Sequence, residues 1–376
     1  MFKNLPYGLA CLLLMLLAGP VWGQGCVAIR HFSSCGAQAP GQNFLGQGDW
    51  QVGMTYRYFK SFRHFRGTHE EPDRVTNETE VINHAHAWDF VATYGLNDRW
   101  FASLVLPMVI NTRSSLYEHG RNERNTTYSR GLADSRLSLG YWLRDPAQAG
   151  GFNASLALGV KLPTGNYHAT DIFYNVGPEG SSEVRPVDQS IQPGDGGFGA
   201  TLEVQLLQQW SGGLSLFASG FYLANPRETN GVRTFRETLS PILNNEAIMS
   251  VPDQYGLRAG LNYTKPGSPI AAMLGARFEG IPVRDLIGGS AGFRRPGMVL
   301  SVEPGLSWGR GPLSVNVSVP VALLRARPQS VTDLETEAAT GQPRQGDAAF
   351  ADYLLNIGLV YRLARPASGM TWPGVH

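Results

Sequence analysis

The final stretch of the chain, Phe350 to Leu363 (FADYLLNIGLVYRL), has apolar side chains at every odd position from Ala351 through Tyr353, Leu355, Ile357, Leu359 and Tyr361 to Leu363. Asp352, Asn356, Gly358 and Arg362 fall among the even positions. A period of two describes a strand with two chemically different faces. Comparable stretches recur upstream, from about Gly48 to Phe62, Val81 to Gly95, Trp100 to Ile110, Gly131 to Leu143, Phe152 to Leu162 and Phe198 to Trp210. They continue through Leu214 to Leu223, Gln254 to Tyr263, Ile270 to Glu279, Met298 to Trp308 and Leu313 to Val319. Phe152–Leu162 alternates most cleanly, with every even residue apolar.

Two regularities turn these strands into an architecture. The connections after odd-numbered strands read as longer than those after even-numbered ones, as in a barrel with tight turns at one end and surface loops at the other. Aromatic residues gather at the short-turn end: Trp50, Tyr94, Trp100, Tyr141, Trp210, Tyr263, Trp308 and Tyr361. Such rings are most stable where an apolar body meets lipid and a polar atom meets water. Lipid offers no partner to an open sheet edge, so a sheet with a lipid-facing stripe must close. The expected fold is all-β, a twelve-stranded antiparallel transmembrane β-barrel over residues 48–363 with both termini in the periplasm. A soluble sandwich of two sheets would leave the aromatic level and the loop alternation unexplained.

Composition agrees. The chain has 376 residues and no compositional break, 16% charged residues, 45 glycines and a formal net charge of +1, with no basic excess to suggest a nucleic-acid partner. Lys3, the apolar run Leu9 to Ala18 and the small residues up to Gly23 read as a signal peptide over 1–23, too short to span a membrane. Residues 24–47, rich in Gly, Ala, Ser and Gln, are expected to form a periplasmic or plug segment, and 364–376 a periplasmic tail. Cys26 and Cys35 would be the only cysteines of the mature chain, an even pair that suits one disulfide in an exported protein.

Within the last strand, Asn356, Gly358, Tyr361 and Leu363 follow a spacing that resembles the closing-strand signal read by the outer-membrane barrel assembly machinery. The fragments GLADSRLSLGYWL (Gly131 to Leu143), VKLPTGNY (Val160 to Tyr167) and QPGDGGFG (Gln192 to Gly199) resemble the bacterial family of the meta-pathway of phenol degradation. That resemblance implies a Gram-negative outer-membrane channel associated with aromatic catabolism, with lipid and a small solute as partners. It brings no defined binding site.

Inward phase assigns candidate lumen residues. Asp134, Arg136, Lys161 and Glu203 are expected near one another in the upper half of one wall, Arg258, Arg277, Glu279 and Glu303 across strands eight to ten, and Arg57 on strand one. They could form a constriction or a ladder of cross-strand ion pairs. Phe101, Val105 and Val109, with Phe217 and Phe221, give an inward apolar track suited to apolar or aromatic solutes, or to packing beneath a plug. Passive uptake of such molecules is the leading expectation.

Two other classes of function are open to such a barrel. A barrel enzyme of the phospholipase kind would need a catalytic constellation, yet by phase His84 and His86 face outward and Asp89 inward, and neither GxSxG nor HExxH occurs. His64 and His69, beside Glu70 and Glu71, fall in what reads as the first loop, where solvation is the commoner fate than a metal. No cofactor is implied. An adhesive or structural barrel is allowed by long loops at Asn111 to Arg130, Thr164 to Gly197 and Arg325 to Ala349.

Overall fold

The computed structural model describes residues 45–146, 151–236 and 239–363. Residues 1–23, read from the sequence as a signal peptide, most of the 24–47 segment with Cys26 and Cys35, and residues 364–376, expected as a tail, lie outside the described residues.

The described chain forms one antiparallel sheet closed on itself, because the last strand, Ala348–Leu363, pairs with the first, Trp50–Arg66, over nearly their whole length. Strands two and three are Ile82–Gly95 and Trp100–Ser115; strands five to seven are Phe152–Leu162, Gly199–Gln209 and Leu214–Ala224. Strands eight to ten are Gln254–Thr264, Ile270–Ile281 and Gly297–Arg310. Strand four comes in two segments, Asn125–Leu132 and Ser135–Trp142, as does strand eleven, Leu313–Ser318 and Val321–Ala326. Counting each split strand once gives twelve, the expected number.

The period-two pattern sorts side chains as expected. Leu104, Leu106, Met108, Leu137, Leu139 and Leu158 are exposed on the outer face, while Arg136, Lys161, Arg258 and Glu303 are buried inside. Register brings the aromatic girdle to one level: Trp50 lies opposite Tyr94 with ring centroids 4.7 Å apart, and Trp100 opposite Tyr141 at 4.9 Å. The short turns beneath this girdle demand glycine where the backbone doubles back. At Gly213, with φ at 84°, a Cβ would lie 1.8 Å from the Thr264 carbonyl oxygen.

Several boundaries differ from the reading of the sequence, for identifiable reasons. Asn111–Arg130 is mostly strand: strands three and four continue outward as a paired hairpin from Met108–Leu132 to Ser115–Asn125. The second external connection is thereby reduced to residues 116–124, no longer than the nine-residue connection 143–151. Polar residues mark strand here because this hairpin stands above the lipid. Strand four is interrupted at Ala133–Asp134, where the Asp134 carboxylate accepts from the Gly165 and Asp195 amides (both 3.0 Å) instead of continuing the ladder. Strand eleven runs past Pro320, which has no N–H to donate. Beyond the break it pairs with strand ten but meets strand twelve in the ladder only at Val321–Tyr353. The following connection holds a helix, Val331–Thr340, started by a reciprocal capping box between Ser330 and Asp333.

His64 is also not the solvated loop residue expected. It sits on the outer extension of strand one, buried, with Nε2 accepting from the Val81 amide (2.8 Å) and Nδ1 against Asp347 (2.6 Å), which Arg74 also binds (2.6 Å). This cluster ties strand one to the last external connection.

Candidate functional site

Inward charges assemble in two groups. The first is a belt at mid-height. Arg258 makes a bidentate pair with Glu303 (2.6 and 2.8 Å), whose carboxylate also accepts from Ser318 Oγ (2.7 Å). Arg277 pairs with Glu279 on its own strand (2.7 Å). Arg57 reaches the belt from strand one, within electrostatic range of Asp89, Arg277 and Glu279. Three arginines face three carboxylates, so the belt is formally neutral. Buried charges persist in this way when each is paired and hydrogen-bonded.

The second group lies higher, where the strand-four break redirects Asp134. Lys161 is bound by Asp195 and lies 3.8 Å from Asp134, and Arg136 is 3.6 Å from Glu203. The sequence-derived group Asp134, Arg136, Lys161 and Glu203 therefore does come together. Asp195 lies in the QPGDGGFG fragment but in a loop without periodicity, so inward phase did not place it here.

Apolar inward residues separate into two strips, correcting the expectation of one shared track. On strand three, Phe101 lies across from Gly140, so close that a Cβ there would be 2.1 Å from the ring, and neighbours Trp142 at 6.1 Å. Val105 and Val109 continue this strip upward, Val109 packing with Ala87 and Ala133. On strand seven, four strands away, Phe217 packs with Met273 and Leu207, beneath the Arg258 guanidinium at 5.3 Å. Glycines on the next two strands, Gly260 on strand eight and Gly275 on strand nine, make the bed for its ring. Phe221 packs with Leu223 above it. Trp142, Leu223 and Met273 were missed, although inward phase on their strands would have found them.

Leu223 leads into a cavity of about 60 Å³ between the external loops and the upper barrel wall. Leu223, Met249, Pro252 and Ile281 supply apolar surface; Gln189, Gln192, Asn230 and Gln254 supply amides; Lys161, Asp134, Asp195 and Arg295 stand at its edge. Gln254 Oε1 is buried with no hydrogen-bond partner among the described residues. Buried polar atoms are usually satisfied, and this one belongs to a side chain that lines the cavity.

Loops border the cavity on its outer side. Asp188 takes a bidentate contact from Arg295 (2.8 and 2.7 Å) and lies 3.6 Å from Arg113, joining the loop after strand five to strand three and to the loop after strand nine. Burial opposes ionisation of Asp188, but the Arg113 and Arg295 guanidiniums outweigh it and hold the carboxyl well below the usual carboxylate range. Gln189 Nε2 donates to the Ser250 carbonyl (2.6 Å), and Arg227 to the Gly196 carbonyl (2.6 Å). At the tip of the strand-three hairpin, His119 has no exposed surface, stacks on Phe173 (5.4 Å) and accepts the Tyr174 amide at Nδ1 (3.1 Å).

The residues considered for catalysis do not converge. His84 and His86 face outward and bond the hydroxyls of Tyr58 (3.0 Å) and Tyr56 (2.8 Å), while Asp89 is buried on the inner face.

No known family profile matches the chain, and no curated protein matches it; the phenol-pathway resemblance rests on the three fragments alone. Solved structures do match. An outer membrane channel from Pseudomonas putida F1 is similar over 87% of this chain and 100% of its own, at 13% identity and a TM-score of 0.53. The toluene transporter TbuX of Ralstonia pickettii matches over 86% of this chain and 91% of its own, at 10% identity and a TM-score of 0.39. The translocator domain of the autotransporter NalP from Neisseria meningitidis matches over the same shares, at 14% identity and a TM-score of 0.39. The first of these likenesses bears out the outer-membrane barrel fold.

Proposed function

We propose that this barrel is a Gram-negative outer-membrane channel for passive uptake of small apolar molecules, aromatic ones bearing a hydroxyl among them. The observation that carries this reading is the cavity beneath the external loops, with an apolar floor, self-neutralised charges at its edge and one buried acceptor, Gln254 Oε1, without a partner. With the loops parted, a hydroxyl donor would reach that oxygen while the ring rests on Leu223, Met249 and Ile281. Below it, Phe221 and Phe217 continue apolar surface down strand seven. The neutral belt offers no net charge to attract or exclude ions, unlike a charge-selective pore. The phenol-pathway resemblance of Gly131–Leu143, Val160–Tyr167 and Gln192–Gly199 supports the same solute class.

At about 60 Å³ the cavity is smaller than the roughly 150 Å³ that accommodates benzene in a protein interior. Passage of a ring therefore requires the loops bearing Asp188 and Ser250 to part. The segment 24–47 is proposed to add a second barrier from the periplasmic side; its deletion raises conductance if so, and unchanged conductance removes that role. For the solute class, Gln254→Leu is expected to abolish the preference for phenol over benzene in equilibrium binding, about a tenfold change for one neutral hydrogen bond in a desolvated site. An unchanged preference would refute the assignment of Gln254.

A further inference from the structure

The outer face carries a feature for which a passage through the lumen has no use. On strands one to four, register aligns Lys60 with His84, His84 with Thr112, and Thr112 with Tyr128. One step toward the membrane, Tyr58, His86, Ile110 and Arg130 form the next row. Lys60 and Arg130 are exposed. Neither has an acidic partner among the described residues; the Lys60 ammonium rests on the Phe62 ring at 4.6 Å. Between the aromatic girdle and these rows, the outward positions of the other described strands are uncharged. The charges inside the barrel, by contrast, are paired in the two groups described above.

The height of these rows is telling. Lys60 stands ten residues above Trp50; at about 3.3 Å per residue and a tilt of about 40°, that is roughly 25 Å, the height of the apolar band of an outer-membrane barrel. The two cations thus sit where the outer leaflet exposes its headgroups. They are three strand spacings and one row apart, about 16 Å, too far to share one phosphate and suited to a headgroup carrying two. The surface between them is stiffened by the Tyr56–His86 and Tyr58–His84 hydrogen bonds and by the Tyr58–His86 ring contact at 4.9 Å. Tyr128 offers an exposed ring beside Arg130.

We propose that this patch is a binding site for a phosphate-bearing glycolipid of the outer leaflet, the lipid A class. Lys60 and Arg130 hold phosphates, and the aromatic surface between them supports the sugar rings. The site fixes which side of the barrel faces bound glycolipid and is independent of the solute reading.

The test uses the full mature chain, purified in detergent and titrated with diphosphoryl lipid A or with phosphatidylglycerol. The wild type is expected to bind lipid A more tightly than phosphatidylglycerol and to gain unfolding temperature with lipid A alone. Lys60→Gln with Arg130→Gln should weaken lipid A binding about tenfold or more, the scale for two cations near an anionic surface. Lys60→Arg with Arg130→Lys should retain it. Equal lipid A affinity in the charge-removed variant, or equal affinity and equal thermal shift of the wild type with phosphatidylglycerol, would overturn the proposal. The wild-type comparison requires no variant to fold.

Discussion

Asp188 and His119 make opposite uses of burial at the external cap. Asp188 is ionised because two guanidiniums surround it. Its folded pKa is depressed, so its contribution is complete above the ordinary carboxylate value near 4 and is lost only as pH falls toward the folded value. Across pH 5 to 8 this contact is constant. Asp188→Asn should therefore weaken cap closure by about 3–5 kcal/mol at neutral pH, as when one partner of a buried pair is removed; faster proteolysis of the 163–198 loop with an intact barrel would report it. For His119, burial lowers the imidazole pKa, outweighing the nearby Glu118 and Asp171 charges. Nδ1 can accept the Tyr174 amide only while unprotonated. The sign is that of a group charged more readily in the open state: cap stability is complete above about pH 6.5 and falls as the pH drops below it. The protection factor of the Tyr174 amide, its intrinsic exchange rate divided by the observed one, should fall between pH 7.5 and 5, and His119→Gln, which stays neutral and keeps an acceptor, should remove that fall. A wild-type protection factor that is independent of pH would contradict this account.

Among the elements, the strands were legible in the sequence because lipid on one face and buried polar residues on the other force a period of two. Phe152–Leu162 was read with the boundaries it has, and Asp134, Arg136, Lys161 and Glu203 were placed together from phase alone. Above the membrane that constraint disappears. The hairpin through Ser115 and Asn125 has water or cap on both faces, so its polar residues read as loop although the ladder continues. Asp188, Asp195, Met249 and Arg295 come from connections with no period, and only the fold brings them to the cavity. Glycine content, by contrast, has an element-scale explanation in part: Phe101 lies on Gly140, and Phe217 on Gly260 and Gly275. A Cβ at Gly260 would stand 2.6 Å from the Gly275 Cα and 2.9 Å from the Phe217 ring. Gly260→Val should cost about 1–3 kcal/mol of overpacking, measured by urea unfolding in lipid vesicles. Adding Phe217→Ala should recover part of the loss, since contacting residues couple; strictly additive losses would indicate that the ring does not depend on this bed.

At the scale of the whole molecule, a barrel of twelve strands is intermediate between those filled by side chains and those that leave a wide aqueous channel. Here a neutral belt occupies mid-height, two apolar strips line separate walls, and loops joined at Asp188 lie across the external end. The central claim is that this closed cap, above an apolar passage, is the barrier to small aromatic solutes. Single-channel recording in planar bilayers tests it most directly, because solute that crosses the lipid itself does not register as current. The account predicts small or infrequent steps for the wild type, larger steps for Asp188→Asn, and partial block of those steps by phenol but not by glycerol. Large wild-type steps that Asp188→Asn leaves unchanged, and that phenol does not reduce, would contradict it.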